Sequence, residues 1–317
     1  MAKQEAMVPG GGMPLAVMGP TASGKSELAL ELARRLNGEI VSADSMQLYR
    51  GLAIGTAQPT AEERARVPHH LVGILDLSER ADVVDFVARA ERAVADIERR
   101  GKVPVIVGGT GYYLKALLYG LDDLPADPAL RAELDRRYDS EAGGAELCER
   151  MAAEDPAALA RCGSCRRKLI RALEVRLLTG RSIVELQQGK RPLKRPVQAW
   201  KLEVAPAALR ERIALRTRRM LDSGWIEEAE RAIAAGLLSS PTAHQALGYA
   251  VIGEYLRGAI PAAEMERRIV DRTCQFARRQ RTWFRHQHPE AVPIEPGPEA
   301  ADRIEAAFRA AVSERRG

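Results

Sequence analysis

Residues 19 to 26 read Gly19, Pro20, Thr21, Ala22, Ser23, Gly24, Lys25, Ser26. Glycines where a backbone must turn tightly, then a lysine and a hydroxyl, are what a phosphate-binding loop requires. The context strengthens the pattern. Leu15 to Met18 is a short apolar run, and Leu28, Ala29, Leu32, Ala33 and Leu36 follow at helical spacing, so the loop joins a strand to a helix. A glycine turn that merely caps a helix would not need this arrangement. Successive backbone amides from Thr21 to Ser26 are expected to point into the loop and, with the positive end of the helix dipole, to seat a diphosphate. Lys25 supplies a point charge to the phosphate oxygens. Ser26 offers its hydroxyl to a Mg²⁺ ion bridging the same phosphates.

Phosphate binding does not by itself mean ATP. A nucleotide-hydrolysing relative would end a second apolar strand on a metal-holding Asp, yet Lys102 to Val107 run into Gly108, Gly109, Thr110 and Gly111 with no acid there. The acid sits elsewhere. Asp44 follows a short strand at Ile40 and Val41, at the carboxyl ends of the strands where ligands gather in such sheets. Placed near a diphosphate, it can accept a proton from an incoming nucleophile or help hold the metal. Capping the turn is the alternative role, less apt because Ser45 and Tyr49 follow it in a chain that binds phosphate. The adjacent His69 and His70 read as hydrogen-bonding residues. Cys162 and Cys165, with Cys148 upstream, lack the second pair or the histidine that a zinc site needs, and read as free thiols.

The elements that must position these groups alternate. A third strand is expected over Val103 to Val107, with an amphipathic helix from about Val83 to Arg99 before it. That order implies an α/β fold, a parallel sheet of the P-loop type with helices on both faces. After Leu118 the pattern changes. Leu124-Pro125 and Asp127-Pro128 punctuate the chain, and only helical periodicity follows to about Gln188. Strand character returns at Trp200 to Val204, with helices over 209–221, 226–235 and 264–285. The reading is therefore a loose tail over 1–13, a first core part over 14–121, an all-helical insertion over 122–195 and a second core part with C-terminal helices over 196–317.

Of the 317 residues, 48 are Lys or Arg and 43 Asp or Glu, a formal charge of +5 that suits a polyanionic partner without identifying one. Aromatics make up 4% of the chain, so aliphatic packing must dominate the core. Arg267 to His288 interleaves arginines with Phe276, Trp283 and Phe284. A helix there would show a basic side, to solvent or to phosphates, and an apolar side whose rings join the core. Four cysteines make no disulfide framework, the first residues hold no apolar signal core, and no run approaches the roughly 18 apolar residues that span a bilayer. A cytoplasmic protein that does not enter membranes is expected.

With the phosphate loop, the segments from Asp44 to Ala57, Pro68 to Asp76, Val107 to Leu118, Arg171 to Val175, Arg216 to Glu228, Leu247 to Tyr249 and Ala277 to Arg285 occur in an order that resembles the bacterial tRNA dimethylallyltransferases. The resemblance covers most of the chain between Leu15 and Gln287. It implies Mg²⁺-dependent transfer of a dimethylallyl group from dimethylallyl diphosphate to the exocyclic N6 of the adenosine 3′ of the anticodon, by a monomer. In that family pattern Gly19 to Ser26 hold the diphosphate, Asp44 is the base on N6, Thr110 lines the reaction channel and Arg216 contacts the diphosphate. The anticodon stem-loop would meet Asp44, Ser45, Met46, Gln47 and Thr110 in the core, and Arg131, Arg167, Lys168 and Arg171 in the insertion.

The chemistry agrees with the residues independently. An aromatic amine is a poor nucleophile, so a site for it must neutralise the leaving diphosphate and remove a proton. The base must also leave its stack and enter a channel. Three departures stand out: the family's Asn-Asp pair before Arg171 is missing, Cys274 stands where an Arg is common, and Ala250 follows Tyr249 where an Arg can occur. They bear on the grip on tRNA and leave the transfer chemistry intact. A P-loop kinase shares the cradle but would need the missing acid. A transferase acting on free adenine nucleotides would need no helical insertion carrying Arg131, Arg166 and Arg167. A non-catalytic RNA-binding module would need neither Lys25 nor Asp44.

Overall fold

In Leu15–Met18 (β1) every side chain is buried, as in a strand covered on both faces. Its residues divide by alternation: Leu15 and Val17 join one apolar cluster, Ala16 and Met18 the other. The same division runs through Gly38–Ser42 (β2) and Val103–Gly108 (β4), which with His69–His70 (β3), Gln198–Leu202 (β5) and Val292–Ile294 (β6) form a sheet in the order β3-β2-β4-β1-β5-β6. Every pairing is parallel. The computed structural model describes residues 13–187, 191–288 and 290–315.

Lys25–Arg35 (α1) packs Ala29, Leu32 and Ala33 on one face of the sheet. Ala61–Arg66 (α2) is a short turn closed by a capping box, Thr60 with Glu63. Val83–Arg99 (α3) and Gly111–Tyr119 (α4) cover the other face through Phe86, Ala90, Leu114 and Leu118. A sheet buried on both sides explains why its strands read as continuous apolar runs.

The chain divides into two compact units, one from residues before Gly120 and after Pro192, the other Gly120–Pro192. The second unit holds only helices among its described residues: Pro128–Arg137 (α5), Glu141–Glu154 (α6), Pro156–Cys162 (α7), Arg166–Thr179 (α8) and Ile183–Leu186 (α9). Its starts are written in the sequence. Asp127 and Asp155 each cap a helix whose first residue is proline, and Ser140 and Ser182 cap two others. Leu134, Tyr138, Leu147, Met151, Leu169 and Leu173 form its core. Gln188, the expected end of helical periodicity, lies outside the described residues.

The first unit continues with Pro206–Asp222 (α10), Trp225–Ala234 (α11), Tyr249–Leu256 (α12), Ala262–Gln287 (α13) and Ala300–Glu314 (α14). Several boundaries differ from expectation. The strand expected at 200–204 spans 198–202, because β1 fixes its register by setting Leu15 opposite Gln198 and Met18 opposite Lys201. The expected tail over 1–13 lies outside the described residues except for Met13, which is buried against the sheet. The sequence reading also missed β3, β6, α2, α12 and α14. The two strands are edge pieces too short to show a period. Ile304 and Phe308 are the large side chains that α14 buries in the core, with small residues such as Ala300 and Ala301 beside them.

His69 Nδ1 donates to the Val67 carbonyl at 2.7 Å, and His70 Nε2 donates to Glu39 at 2.7 Å, so both rings serve the edge of the sheet. Among the described residues no helix is long and apolar enough to cross a membrane.

Glu174 organises the helical unit. Fully buried, it accepts hydrogen bonds from the Asp127 amide at 2.9 Å, from Arg171 at 2.7 Å and from Arg131. Burial pushes its carboxyl up, but Arg171, Arg131 and the amide together hold it below the usual carboxylate range. Replacing Glu174 with Ala strands two guanidinium groups, and we expect a loss of about 3 to 5 kcal/mol in urea unfolding of the full-length protein. A change below 1 kcal/mol would remove Glu174 from this role.

Candidate active site

The sheet order brings separate stretches of sequence to one edge. β2, β4 and β1 are neighbours, with Met18 opposite Gly108 and Ser42 opposite Val107, so the loops leaving their carboxyl ends lie side by side. These are the Asp44 turn, the loop Gly108–Gly111 and the phosphate loop. Gly108 permits a close backbone approach. A Cβ there would lie 2.2 Å from the Ala43 carbonyl oxygen, so no other residue fits beside the Asp44 turn without displacing backbone.

In the phosphate loop Gly24 sits at φ 93°, where a side chain would be strained, and leads into α1. Two of the amides expected to face an anion do not. The Thr21 amide donates to Gln280 Oε1 at 2.8 Å, and the Ser23 amide donates to the Pro20 carbonyl at 3.3 Å. Tertiary and local partners claim them, leaving Ala22, Gly24, Lys25 and Ser26 to supply the remaining amides of the cradle.

Lys25 Nζ donates to the Pro20 carbonyl at 3.2 Å. Although the residue as a whole is half-buried, its ammonium is buried. Burial draws it down to about 8, with Asp44 opposing that shift and Arg216 adding to it. Arg216 comes from α10 and donates to Thr21 Oγ1 at 3.3 Å. Burial lowers its guanidinium too, against the pull of Asp44. Two cations in a dry cleft are therefore coupled to one carboxylate, and a second anion would relieve them further.

Asp44 is held for use. Its Oδ1 accepts from the Met46 amide at 3.0 Å and, more weakly, from the Gln47 amide at 3.4 Å, which orients the carboxylate at the head of the turn. Thr110 Oγ1 accepts from the Ser45 amide at 3.0 Å, and the Thr110 amide donates to the Ala43 carbonyl at 3.2 Å. Thr110 thus pins the residues on both sides of Asp44. Gln47 is spent within the protein: its Nε2 donates to the Thr56 and Ala57 carbonyls at 3.2 and 2.8 Å, while its Oε1 accepts from Ser42 at 2.8 Å. Met46 packs half-buried against the core.

The far end of this loop is tied down by Glu228, buried on α11. Its carboxylate accepts from the Ile54 and Gly55 amides at 2.8 and 2.9 Å and from the Tyr249 hydroxyl at 2.6 Å. Ser26 lies exposed on the first turn of α1. A single hydroxyl beside a phosphate seat fits Mg²⁺, which keeps several waters and binds through one or two protein oxygens plus substrate phosphates.

In the helical unit, Arg167 and Lys168 stand exposed on the first turn of α8, whereas Arg131 and Arg171 hold Glu174. Arg166 bonds the carbonyls of Tyr138 and Asp135. On α13, Phe284 is buried and Trp283 half-buried, and the outer side forms an open groove of about 430 Å³ lined by Arg278, Arg279, Thr282, Trp283, His286 and Gln287. Cys148, Cys162, Cys165 and Cys274 are free thiols.

Sequence reasoning missed three groups. Arg212, one turn before Arg216, donates to the Ser23 carbonyl at 3.4 Å, and its i, i+4 spacing was a readable signal. Gln280 was visible only as the uncharged residue among Arg278, Arg279 and Arg281. Glu228 ends one of the family segments, but its task was not readable, since the Ile54 and Gly55 amides it holds lie more than 170 residues away in sequence.

A strand, glycine loop and helix at the centre of a parallel sheet, with a carboxylate on the turn two strands away, define an α/β protein of the P-loop class. Residues 47–287 match the family model described as IPP transferase, and residues 14–69 that described as isopentenyl transferase. The chain belongs to the IPP transferase family. It is 45% identical over 271 residues to the tRNA dimethylallyltransferase of Paenarthrobacter aurescens, covering 86% of this chain and 87% of that one. To the protein of the same name from Methylococcus capsulatus it is 45% identical over 301 residues, covering 93% and 96%. The crystal structure of the tRNA isopentenylpyrophosphate transferase of Bacillus halodurans superposes with a TM-score of 0.71 at 34% identity, covering 96% of this chain and 98% of that one. A eukaryotic dimethylallyltransferase captured acting on tRNA gives 0.77 at 26% identity, covering 95% and 78%.

The lowered ammonium makes a pH prediction. Below about 8 Lys25 is charged and can meet an anion; as pH rises through that value the free protein loses the charge. Calorimetric affinity for inorganic diphosphate should therefore fall above pH 8 by up to about tenfold per unit, beyond any change shown by Lys25→Ala. Parallel pH profiles for the two proteins would remove the assignment.

Proposed function

We propose that this chain transfers a dimethylallyl group from dimethylallyl diphosphate to the exocyclic N6 of the adenosine 3′ of the anticodon in tRNA, releasing diphosphate. The observation that carries this reading is the adjacency of the Asp44 turn to a cationic diphosphate seat, fixed by the strand order and by the Gly108 contact. The N6 lone pair forms the new carbon–nitrogen bond as the carbon–oxygen bond to the diphosphate breaks. The N6 proton goes to the Asp44 carboxylate. Lys25, Arg216 and the loop amides take up the charge that develops on the leaving oxygens. The Ser26 hydroxyl would help hold Mg²⁺, which when bound would supply further positive charge to the leaving group.

Positioning is divided among the other groups. Thr110 fixes the peptide planes beside Asp44, and Gln47 ties the start of that loop to its return at Thr56 and Ala57. Ser45, Met46 and Thr110 would meet the flipped adenosine or its neighbours, and Gln47 acts through its backbone. In the helical unit we assign phosphate contacts to Arg167 and Lys168, and a framework role, with contact at most through their remaining N–H groups, to Arg131 and Arg171. We read the protein as a monomer acting on tRNA in the cytoplasm.

The decisive assay incubates the protein with labelled dimethylallyl diphosphate, Mg²⁺ and either an anticodon stem-loop or AMP, with and without ATP. Label should enter the stem-loop alone, with Mg²⁺ and without ATP; label in AMP, or a strict need for ATP, would overturn the reading. Asp44→Asn keeps shape and an acceptor but loses the basic carboxylate. Its single-turnover transfer should slow by about two to four orders of magnitude, while tRNA affinity, dominated by phosphate contacts, stays within about twofold. Lys25→Ala should fold yet transfer no measurable label. Normal single-turnover rates in Asp44→Asn at saturating tRNA would show that the base lies elsewhere.

A further inference from the structure

Gln280 lies in the C-terminal third of α13, where the preceding Arg278 and Arg279 face solvent. Only 6% of its surface is exposed. A buried amide is costly unless both its ends are satisfied, and here both are. Oε1 accepts from the Thr21 amide at 2.8 Å and Nε2 donates to the Gly109 carbonyl at 2.8 Å. The partners fix the orientation of the amide, because a backbone N–H must meet the oxygen and a carbonyl must meet the nitrogen. Gly109 makes room: a Cβ there would lie 2.5 Å from Gln280 Nε2 and 3.5 Å from Lys25 Nζ.

These contacts close a path. Thr21 belongs to the phosphate loop, and its hydroxyl accepts from Arg216. Gly109 precedes Thr110, whose hydroxyl holds the Ser45 amide next to Asp44. Hydrogen bonds therefore run without a break from the diphosphate seat through Gln280 to the turn that carries the carboxylate. We propose that Gln280 is a positioning residue for the transfer reaction, its side-chain amide locking the phosphate loop to the loop after β4 and so setting the distance between the diphosphate and Asp44. This rests on the function proposed above. Gln280 touches neither reacting atom in this scheme; it acts through Thr21 and Gly109.

The geometry also explains why an amide is used. A carboxylate could accept from Thr21 but could not donate to Gly109, and it would set a negative charge beside the leaving group. A methionine would fill the space and satisfy neither partner. Charged groups at this lock include Lys25 of α1, close to Gly109, and Arg216 of α10, which bonds the Thr21 hydroxyl, and wild type measured in parallel is the control for them.

The test compares full-length wild type, Gln280→Met and Gln280→Glu. In Gln280→Met, kcat/KM for dimethylallyl diphosphate should fall about tenfold to a hundredfold, the loss of two buried hydrogen bonds, with tRNA affinity within about twofold of wild type. In Gln280→Glu, the ratio of variant to wild-type transfer should rise as pH is lowered, because protonation restores a donor to Gly109 and removes the charge. A residue that only packs the helix would lower the melting temperature of both variants but leave their kinetics at a temperature where they are folded, and the pH dependence of the ratio, unchanged; that result overturns the proposal. If Gln280→Met does not fold, the pH-dependent ratio for Gln280→Glu decides alone. Should wild type transfer no label at all, the proposed function fails, and affinity for inorganic diphosphate still tests Gln280: weaker binding in the folded variants supports the lock, and equal binding removes it.

Discussion

Two backbone segments that almost touch set the layout of the site. Gly108, at the end of β4, lies so close to the Ala43 carbonyl that a methyl group would collide with it at 2.2 Å. That contact holds the loop after β4 against the turn after β2, while β1 on the other side of β4 delivers the phosphate loop. Each loop is then fixed by polar contacts that the approach makes possible: Thr110 to Ala43 and Ser45, Gln280 to Thr21 and Gly109. A parallel sheet with its crevice at the carboxyl ends of its central strands provides the frame.

Electrostatics follows from the same closeness. Burial weakens the charged forms of Lys25 and Arg216, and Asp44 opposes that loss at both. Two buried cations thus share the field of one carboxylate, an arrangement that favours a further anion.

The helical unit uses arginine in two ways. Arg131 and Arg171 converge on the buried Glu174 and fix the start of α5 against α8, whereas Arg167 and Lys168 remain in solvent. Sequence spacing cannot tell these uses apart. Arg171 and Glu174 are an ordinary i, i+3 pair on one helix, but Arg131 joins them from a segment 43 residues earlier.

Local signals determined much of this protein. The glycine loop between an apolar run and a helical period marked the turn from β1 into α1, proline after aspartate fixed the starts of α5 and α7, and the span of α3 was readable to the residue. The order of motifs along the chain was enough to indicate the family. Tertiary structure decided what depends on distant partners: which strands are neighbours, that Thr21 gives its amide to Gln280, that Glu228 holds Ile54 and Gly55, and that Gln47 turns its side chain inward. The physical reason is range. Helix periods, caps and tight turns are set by residues within a few positions of one another, whereas a buried polar group is satisfied by whatever the fold brings within about 3 Å, and no spacing in the chain records that.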